Sequence, residues 1–249
     1  MEQKRIRLTV AYDGTNYHGW QQQPNGITIE SELNRCLSEL LGEEVQVIGA
    51  SRTDSGVHAL GNIAVFDTRS RMPADKFSYA LNQRLPEDIR IQKSEEVPAD
   101  WHPRHVNSRK TYEYRIYRAP FPMPVKRLYS LFTYHELNVE AMRKAAVFLE
   151  GEHDFASFCQ AGAQVESTVR TIYRVEVLEE GPDLVVRVCG NGFLYNMVRI
   201  IAGTLLEVGR GKRDPMEIIA VLEAKDRGTA GPTAPAHGLM LMKYEFPDV

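Results

Sequence analysis

The chain opens on a hydrophobic period of two. Ile6, Leu8 and Val10 alternate with other residues across RIRLTVAYD (5–13), which predicts a half-buried strand. The period then lengthens. Ile29, Leu33, Cys36, Leu37, Leu40 and Leu41 recur at helical spacing, with Thr28 placed to cap the helix, Glu30 and Glu32 in its first turn and Gly42 at its stop. EVQVIGA (44–50) and NIAVFDT (62–68) read as strands. A helix from Pro73 turns Phe77, Leu81 and Leu85 inward and ends at Pro86, and DIRIQKSEEV (88–97) reads as a fourth strand. The order β-α-β-β-α-β is the split βαβ arrangement, an antiparallel sheet with both helices on one face.

A polar linker, PADWHPRHVNS (98–108), leads into a second half that repeats this order less neatly. RKTYEYRIY (109–117) predicts a strand, and residues 139–150 a helix with Asn138 as its cap and Gly151 as its stop. TVRTIYRVEVLE (168–179) and DLVVRVCG (183–190) predict a strand pair, followed by a helix over 193–208. A short helix starts at Asp214-Pro215, with Glu217 placed for an acidic capping box, and LMLMKYEF (239–246) closes the chain as a strand. Two α/β units of like order predict a pseudo-twofold α+β protein, with domains at 1–105 and 106–249 and a cleft between their sheets. The halves are not visibly alike in sequence.

At 249 residues, 43% of them hydrophobic and 25% charged, the chain has core enough for one large domain or two small ones. No apolar run approaches the ~20 residues needed to cross a bilayer, and the first residues run straight into a strand, so no signal peptide is expected. Cys36, Cys159 and Cys189 are odd in number and widely spaced, which points to a reducing cytosol and away from a structural zinc site. The net charge of −3 argues mildly against nucleic acid as a partner, but its distribution does not. Seven cations (Arg104, Arg109, Lys110, Arg115, Arg118, Lys126, Arg127) stand between Trp101 and Arg127 against Glu113 alone. Five more (Arg187, Arg199, Arg210, Lys212, Arg213) stand between Arg187 and Arg213 against Glu207. Such stripes suit a phosphate track or a solvated face, and charge alone leaves both open.

Three stretches carry candidate chemistry. SRTDSG (51–56) has no aliphatic side chain; Asp-Ser-Gly is good turn chemistry, and Asp54 fits a turn former, an ion-pair partner or a catalytic carboxylate. Arg52 beside it adds little specificity. On the strand RKTYEYRIY, Lys110, Tyr112 and Tyr114 share one face, and Thr111, Glu113, Arg115 and Tyr117 the other. Interleaved cations and tyrosines suit unstacked nucleic acid, and equally a two-sided strand whose tyrosines cover a core. In GNGFLYNMVRIIAG, Phe193, Met197, Ile200, Ile201 and Thr204 form a core stripe that Val208 continues. Arg199 lies on its flank beside Tyr195, Asn196 and Gly203. Gly203 permits close approach of another segment, and an arginine at a core boundary needs a carboxylate, for which Asp54 is the natural partner to seek. His102 and His105 lack the further ligands of a metal site and fit a solvated linker or a phosphate contact better.

Taken in order, these stretches resemble the tRNA pseudouridine synthase A family. SRTDSGVHA (51–59) is similar to its G-R-T-D-A-G-V-H-A loop and YDGTNYHGWQQQ (12–23) to its opening. SRKTYEYRIY (108–117), STVRTI (167–172), FLYNMVRIIAG (193–203) and APAHGLML (234–241) follow in the family's order. Ser51 and Ser55 stand where the family usually has Gly and Ala, and WHPRH replaces F-H-A-R; these departures touch fine loop geometry. The resemblance implies a pseudouridine synthase-type fold of two ferredoxin-like halves with antiparallel sheets flanking a central basic cleft. It implies isomerisation of uridine to pseudouridine on the 3′ side of the tRNA anticodon stem-loop, at positions 38, 39 or 40, without metal or cofactor, by a cytoplasmic homodimer. Asp54, Arg199 and Tyr112 would be catalytic. Arg52, Tyr112, Lys110, Arg104, His58, Phe193, Trp20, Gln21 and Arg170 would contact substrate or RNA. A non-catalytic RNA-binding protein would keep the stripes and tyrosines, yet it has no need of Asp54 and Arg199 together.

Overall fold

In a computed structural model that describes residues 3–160, 162 and 166–247, the first alternation is realised as β1 (Lys4–Tyr12), with Ile6, Leu8 and Val10 fully buried. Helix α1 (Ile29–Leu41) follows. Thr28 Oγ1 accepts the Ser31 amide at 3.1 Å and Ser31 Oγ accepts the Thr28 amide at 3.0 Å, a reciprocal cap, and Gly42 ends the helix at φ 69°. Strands β2 (Ile48–Gly49) and β3 (His58–Thr68), helix α2 (Phe77–Asn82) and β4 (Ile89–Val97) complete the predicted order. β1 lies between β4 and β3, and β2 pairs with β3, all antiparallel.

The strand expected over 44–50 shrinks to two residues for a physical reason. The Val45 amide donates to Ser38 Oγ (3.0 Å) and the Val47 amide to Asn34 Oδ1 (2.8 Å), so α1 side chains take bonds a ladder would have used. The helix expected from Pro73 opens as a 3-10 turn at Ala74–Lys76 and closes at Asn82. The Asn82 side chain there bonds both the amide and the carbonyl of Ile91 on β4.

The second half begins with β5 (Arg109–Arg118), β6 (Leu131–Thr133), α3 (Val139–Val147) and β7 (Gly151–Asp154). It continues through β8 (Val169–Glu180), β9 (Asp183–Gly190), α4 (Met197–Gly209) and α5 (Glu217–Ala224) to β10 (Leu239–Glu245). β5, β9, β8 and β7 are antiparallel neighbours in that order, and β6 runs parallel to β5. β6 and β7 are too short to show a period and were not expected. Asn138 caps α3 as expected, but the helix stops at Val147, and Gly151, at φ 104°, already starts β7. The helix expected from 193 starts at Met197, because Asn196 sits in the left-handed region at φ 60°. Ahead of α5, the Met216 amide donates to Asp214 Oδ1 and the Asp214 amide to Glu217 Oε1, both at 2.8 Å, so the acidic cap forms in the turn before the helix.

The result is an α+β fold of mostly antiparallel strands and flanking helices. It groups into two units, Met1–Asn107 with Leu241–Val249, and Ser108–Met240. In the first unit the chain's end packs on the linker. Phe246 meets Trp101 edge-on at 5.1 Å, and the Arg7 guanidinium lies 5.2 Å and 5.3 Å from those two rings. No helix is long and apolar enough to cross a membrane among the described residues.

Candidate active site

In the first unit, burial alternates along SRTD: Ser51 and Thr53 are buried, Arg52 is exposed and Asp54 half-buried. The turn after Asp54 closes with a Val57 amide bond to the Asp54 carbonyl (3.1 Å) and with Gly56 at φ 77°. Asp54 thus sits where the buried half of the loop hands over to the turn.

The stretch 12–20 cradles this loop. The Trp20 amide donates to the Thr53 carbonyl at 3.0 Å, and the Tyr17 carbonyl accepts from Ser55 Oγ (3.1 Å) and the Gly56 amide (3.4 Å). Tyr17 is anchored in turn by its hydroxyl, which donates to Asp88 Oδ1 at 2.6 Å. Burial and the Asp88 carboxylate push the Tyr17 phenol up, which keeps it a donor. Backbone approaches backbone so closely that a Cβ on Gly19, itself at φ 85°, would lie 2.7 Å from the Thr53 oxygen. The Trp20 indole lies on Gly49, where a Cβ would fall 2.1 Å from Nε1.

Two expected RNA contacts are corrected here. Trp20 is 1% exposed and serves as the loop's floor, out of reach of a base. His58 is also 1% exposed; its Nδ1 lies 3.1 Å from both the Gly14 amide and Asp13 Oδ1, so it clamps the cradle from within. Gln21, by contrast, is exposed. Arg104 is exposed too and anchored, its Nε donating to the Gly49 carbonyl at 2.7 Å. Partial burial of its anchored end, and then the charge of Arg52, pull its guanidinium below its ordinary value.

In the second unit, Tyr112 on β5 is buried and meets the half-buried Phe193 edge-on at 5.2 Å and 85°. Phe193 leads the turn before α4 instead of standing on its core stripe, a consequence of the late helix start. Lys110 is half-buried opposite Gly190. Arg199 Nη1 donates to Asn196 Oδ1 (2.7 Å) and Nε to the Ala234 carbonyl (2.8 Å), while the Arg199 carbonyl accepts the Ala234 amide (3.1 Å). The segment Gly203 was expected to admit is 231–234: a Cβ on Gly203 would fall 1.8 Å from the Pro232 oxygen, and the Gly231 amide donates to Thr204 Oγ1. Arg170 caps the start of β8 through the carbonyls of Ser167 (2.9 Å) and Val169 (2.6 Å), and burial pulls its guanidinium down.

The other face of β5 corrects the even-handed reading of the basic stripes. Glu113, 3% exposed, takes Arg187 on Oε1 (2.9 and 2.7 Å) and Arg115 on Oε2 (2.7 Å). Arg118 pairs with Glu136, Lys126 with Asp183 and Arg213 with Glu207. Arg118 makes a long surface pair with an exposed Glu136, while Arg115, Arg187, Lys126 and Arg213 are engaged within the fold. Tyr114 and Tyr117 likewise fill the core.

A family model described as tRNA pseudouridine synthase matches residues 8–105 and 145–247. The tRNA pseudouridine synthase A of Ruminiclostridium cellulolyticum is 52% identical over 244 residues, 98% of this chain and 100% of that one. Its namesakes from Acetivibrio thermocellus (47% over 243 residues, 98% and 100%) and an Exiguobacterium species (48% over 246 residues, 99% and 99%) are similar along their whole length as well. The chain belongs to the tRNA pseudouridine synthase family. Pseudouridine synthases are isomerases, and the matched residues include both the cradle and the Asp54 loop. The family's opening motif is here the seat of that loop. Two buried polar side chains behind the loop escaped the sequence reading: the Tyr12 hydroxyl, 2.7 Å from Thr53 Oγ1, and the Asn62 side-chain amide, which donates to the Ser51 carbonyl at 3.0 Å. The available signal was one asparagine heading the apolar run NIAVF.

Proposed function

We propose that this chain isomerises uridine to pseudouridine in tRNA, on the 3′ side of the anticodon stem-loop at positions 38, 39 or 40, as a cytoplasmic homodimer. The observation that carries the reading is the build of the Asp54 loop, a half-buried carboxylate on a turn whose neighbours are pinned from within. In this isomerisation the N-glycosidic bond breaks, the base turns over while held, and a carbon–carbon bond forms to the same ribose. Nothing enters from solvent, so one carboxylate suffices where a hydrolytic glycosidase uses two. Asp54 is that carboxylate, either adding covalently to the substrate or taking the proton that starts a glycal-like route; both need it ionised.

In this reading Arg199 supplies the charge that keeps Asp54 ionised. The Tyr112 ring packs on the turned base, and its hydroxyl helps remove the C5 proton that the new carbon–carbon bond displaces and that leaves to solvent. The target uridine must leave its stack, at a cost of a few kcal/mol. Phosphate contacts from Arg52, Arg104, Lys110 and Arg170 offset part of that cost, with Gln21 and Phe193 beside the RNA. Trp20 and His58 act from behind the loop. Mapping pseudouridine in tRNA from cells lacking this chain, and again after its return, tests substrate and position together. Loss and recovery at 38–40 supports the reading, and unchanged pseudouridine there refutes the positions.

A further inference from the structure

Behind the Asp54 loop lies a buried polar network that the chemistry above does not use. Asn62 stands in the middle of β3 with no exposure, where an aliphatic residue would otherwise be expected. All four of its side-chain sites are matched. Oδ1 accepts from the amides of Ile63 (2.9 Å) and Ser51 (3.3 Å), and Nδ2 donates to the Ser51 carbonyl (3.0 Å) and the Tyr12 hydroxyl (3.2 Å). A buried amide is costly unless satisfied in this way.

The bonds fall where the backbone ladder ends. Ile48 and Gly49 pair with Val65 and Ala64, and the Ala50 amide donates to the Ile63 carbonyl at 2.8 Å. At the next rung the Asn62 side chain takes the place of a strand and holds both backbone groups of Ser51. Residues 52–54 are thereby released from the sheet at a defined point.

Tyr12 supplies the second anchor. The β1–β3 register shifts between Val10, opposite Asn62, and Tyr12, opposite Ala59. Such an irregularity re-aims a side chain. The Tyr12 hydroxyl reaches Thr53 Oγ1 at 2.7 Å. Asn62 Nδ2 donates to the Tyr12 hydroxyl, and the Tyr12 and Thr53 hydroxyls, each able to donate and accept, bond to one another. Burial drives the Tyr12 phenol well above its ordinary value, so the hydroxyl keeps its proton.

We propose that Asn62 and Tyr12 are positioning residues for Asp54. They hold Ser51 and Thr53 inward so that Arg52 and Asp54, on the alternate positions, are presented outward in one geometry. The proposal rests on Asp54 being the reacting carboxylate.

The test is single-turnover release of tritium from tRNA labelled at uridine C5, read beside tRNA affinity and thermal melting. Tyr12→Phe and Thr53→Val each remove one hydroxyl and little volume. Each is expected to slow turnover about tenfold or more, as a small misplacement of a reacting group does, while tRNA affinity stays at the wild-type level. Thr53→Ser keeps the hydroxyl and is expected to restore the rate. Asn62→Asp, which loses both donors, is expected to slow turnover further; if it fails to fold, the two hydroxyl variants still decide. Folded Tyr12→Phe and Thr53→Val enzymes with wild-type rates would overturn the proposal, as would a rate loss matched by an equal loss of tRNA affinity. A wild-type enzyme that releases no tritium, or an Asp54→Ala enzyme that still does, would overturn the functional reading itself and the proposal with it.

Discussion

Gly14 and Val57 are packed backbone against backbone: a Cβ on Gly14 would lie 2.0 Å from the Val57 carbonyl oxygen and 2.7 Å from its carbon. Neither atom is the end of a flexible side chain, so the backbone of the cradle or of the Asp54 loop must move to admit a methyl group. Gly14→Ala is expected to cost about 1–3 kcal/mol, typical of overpacking, and to lower turnover more than tRNA affinity. Gly42→Ala is the control. It meets no atom within 4 Å, lies at φ 69° and caps α1, so it should cost stability and leave turnover alone. Thermal melts with steady-state kinetics check both, and equal losses of turnover in the two variants would contradict the packing argument.

Sequence periodicity found α1, β5, β8 and β9 because each is decided by its own residues, by a repeat and, for α1, a cap. It overran β2 because that strand is curtailed by Asn34 and Ser38, side chains on another element. It started α4 early because one residue, Asn196, adopts a backbone that its type only permits. The site divides in the same way. A catalytic Asp54 is one of three readings of a polar turn and Arg52 joins it only through the resemblance, whereas Trp20 and His58 look like RNA contacts because a motif names a position without saying which side of the backbone it serves. Their inward role depends on Gly49 and Gly14, distant partners that no local spacing reveals.

Glu113 holds two guanidinium groups on a buried carboxylate. Removing one member of a buried pair typically costs about 3–5 kcal/mol. Arg115 and Arg187 are each about a third exposed, at 30% and 35%, so solvent screens part of this and Glu113→Gln is expected to cost roughly 1–3 kcal/mol. Chemical denaturation measures it. A loss under about 0.5 kcal/mol, the level of an ordinary surface change, would contradict the assignment of this cluster to the fold.

Acid should weaken the end of β7 in a specific window. The Thr168 hydroxyl holds Asp154 below its ordinary value of 3.8, burial opposes this, and the Lys225 ammonium assists. The folded form therefore binds this proton more weakly than the unfolded chain. The contribution is complete above the ordinary value and is lost as pH falls through the depressed one. Thr168→Val should lower stability at neutral pH and flatten the acid limb of stability against pH. Curves of wild type and variant that stay parallel through that limb would count against it.

Binding of tRNA should weaken steeply with salt, and the slope should separate the cations by role. Arg52→Ala is expected to reduce the slope of log affinity against log salt by about one. Arg115→Ala should leave it unchanged, because Glu113 and Glu180 already hold that guanidinium. Binding titrations at several salt concentrations decide, and equal slopes for both variants would remove the distinction.

The central claim is that Asp54, held in its cradle, is the carboxylate that turns uridine into pseudouridine. Tritium release from tRNA labelled at uridine C5 tests it most directly, with wild type and Asp54→Ala compared at equal folded concentration. Release by the wild type and none above background by Asp54→Ala is expected, with tRNA still bound. Release by both would contradict the role of Asp54, and release by neither would contradict the activity.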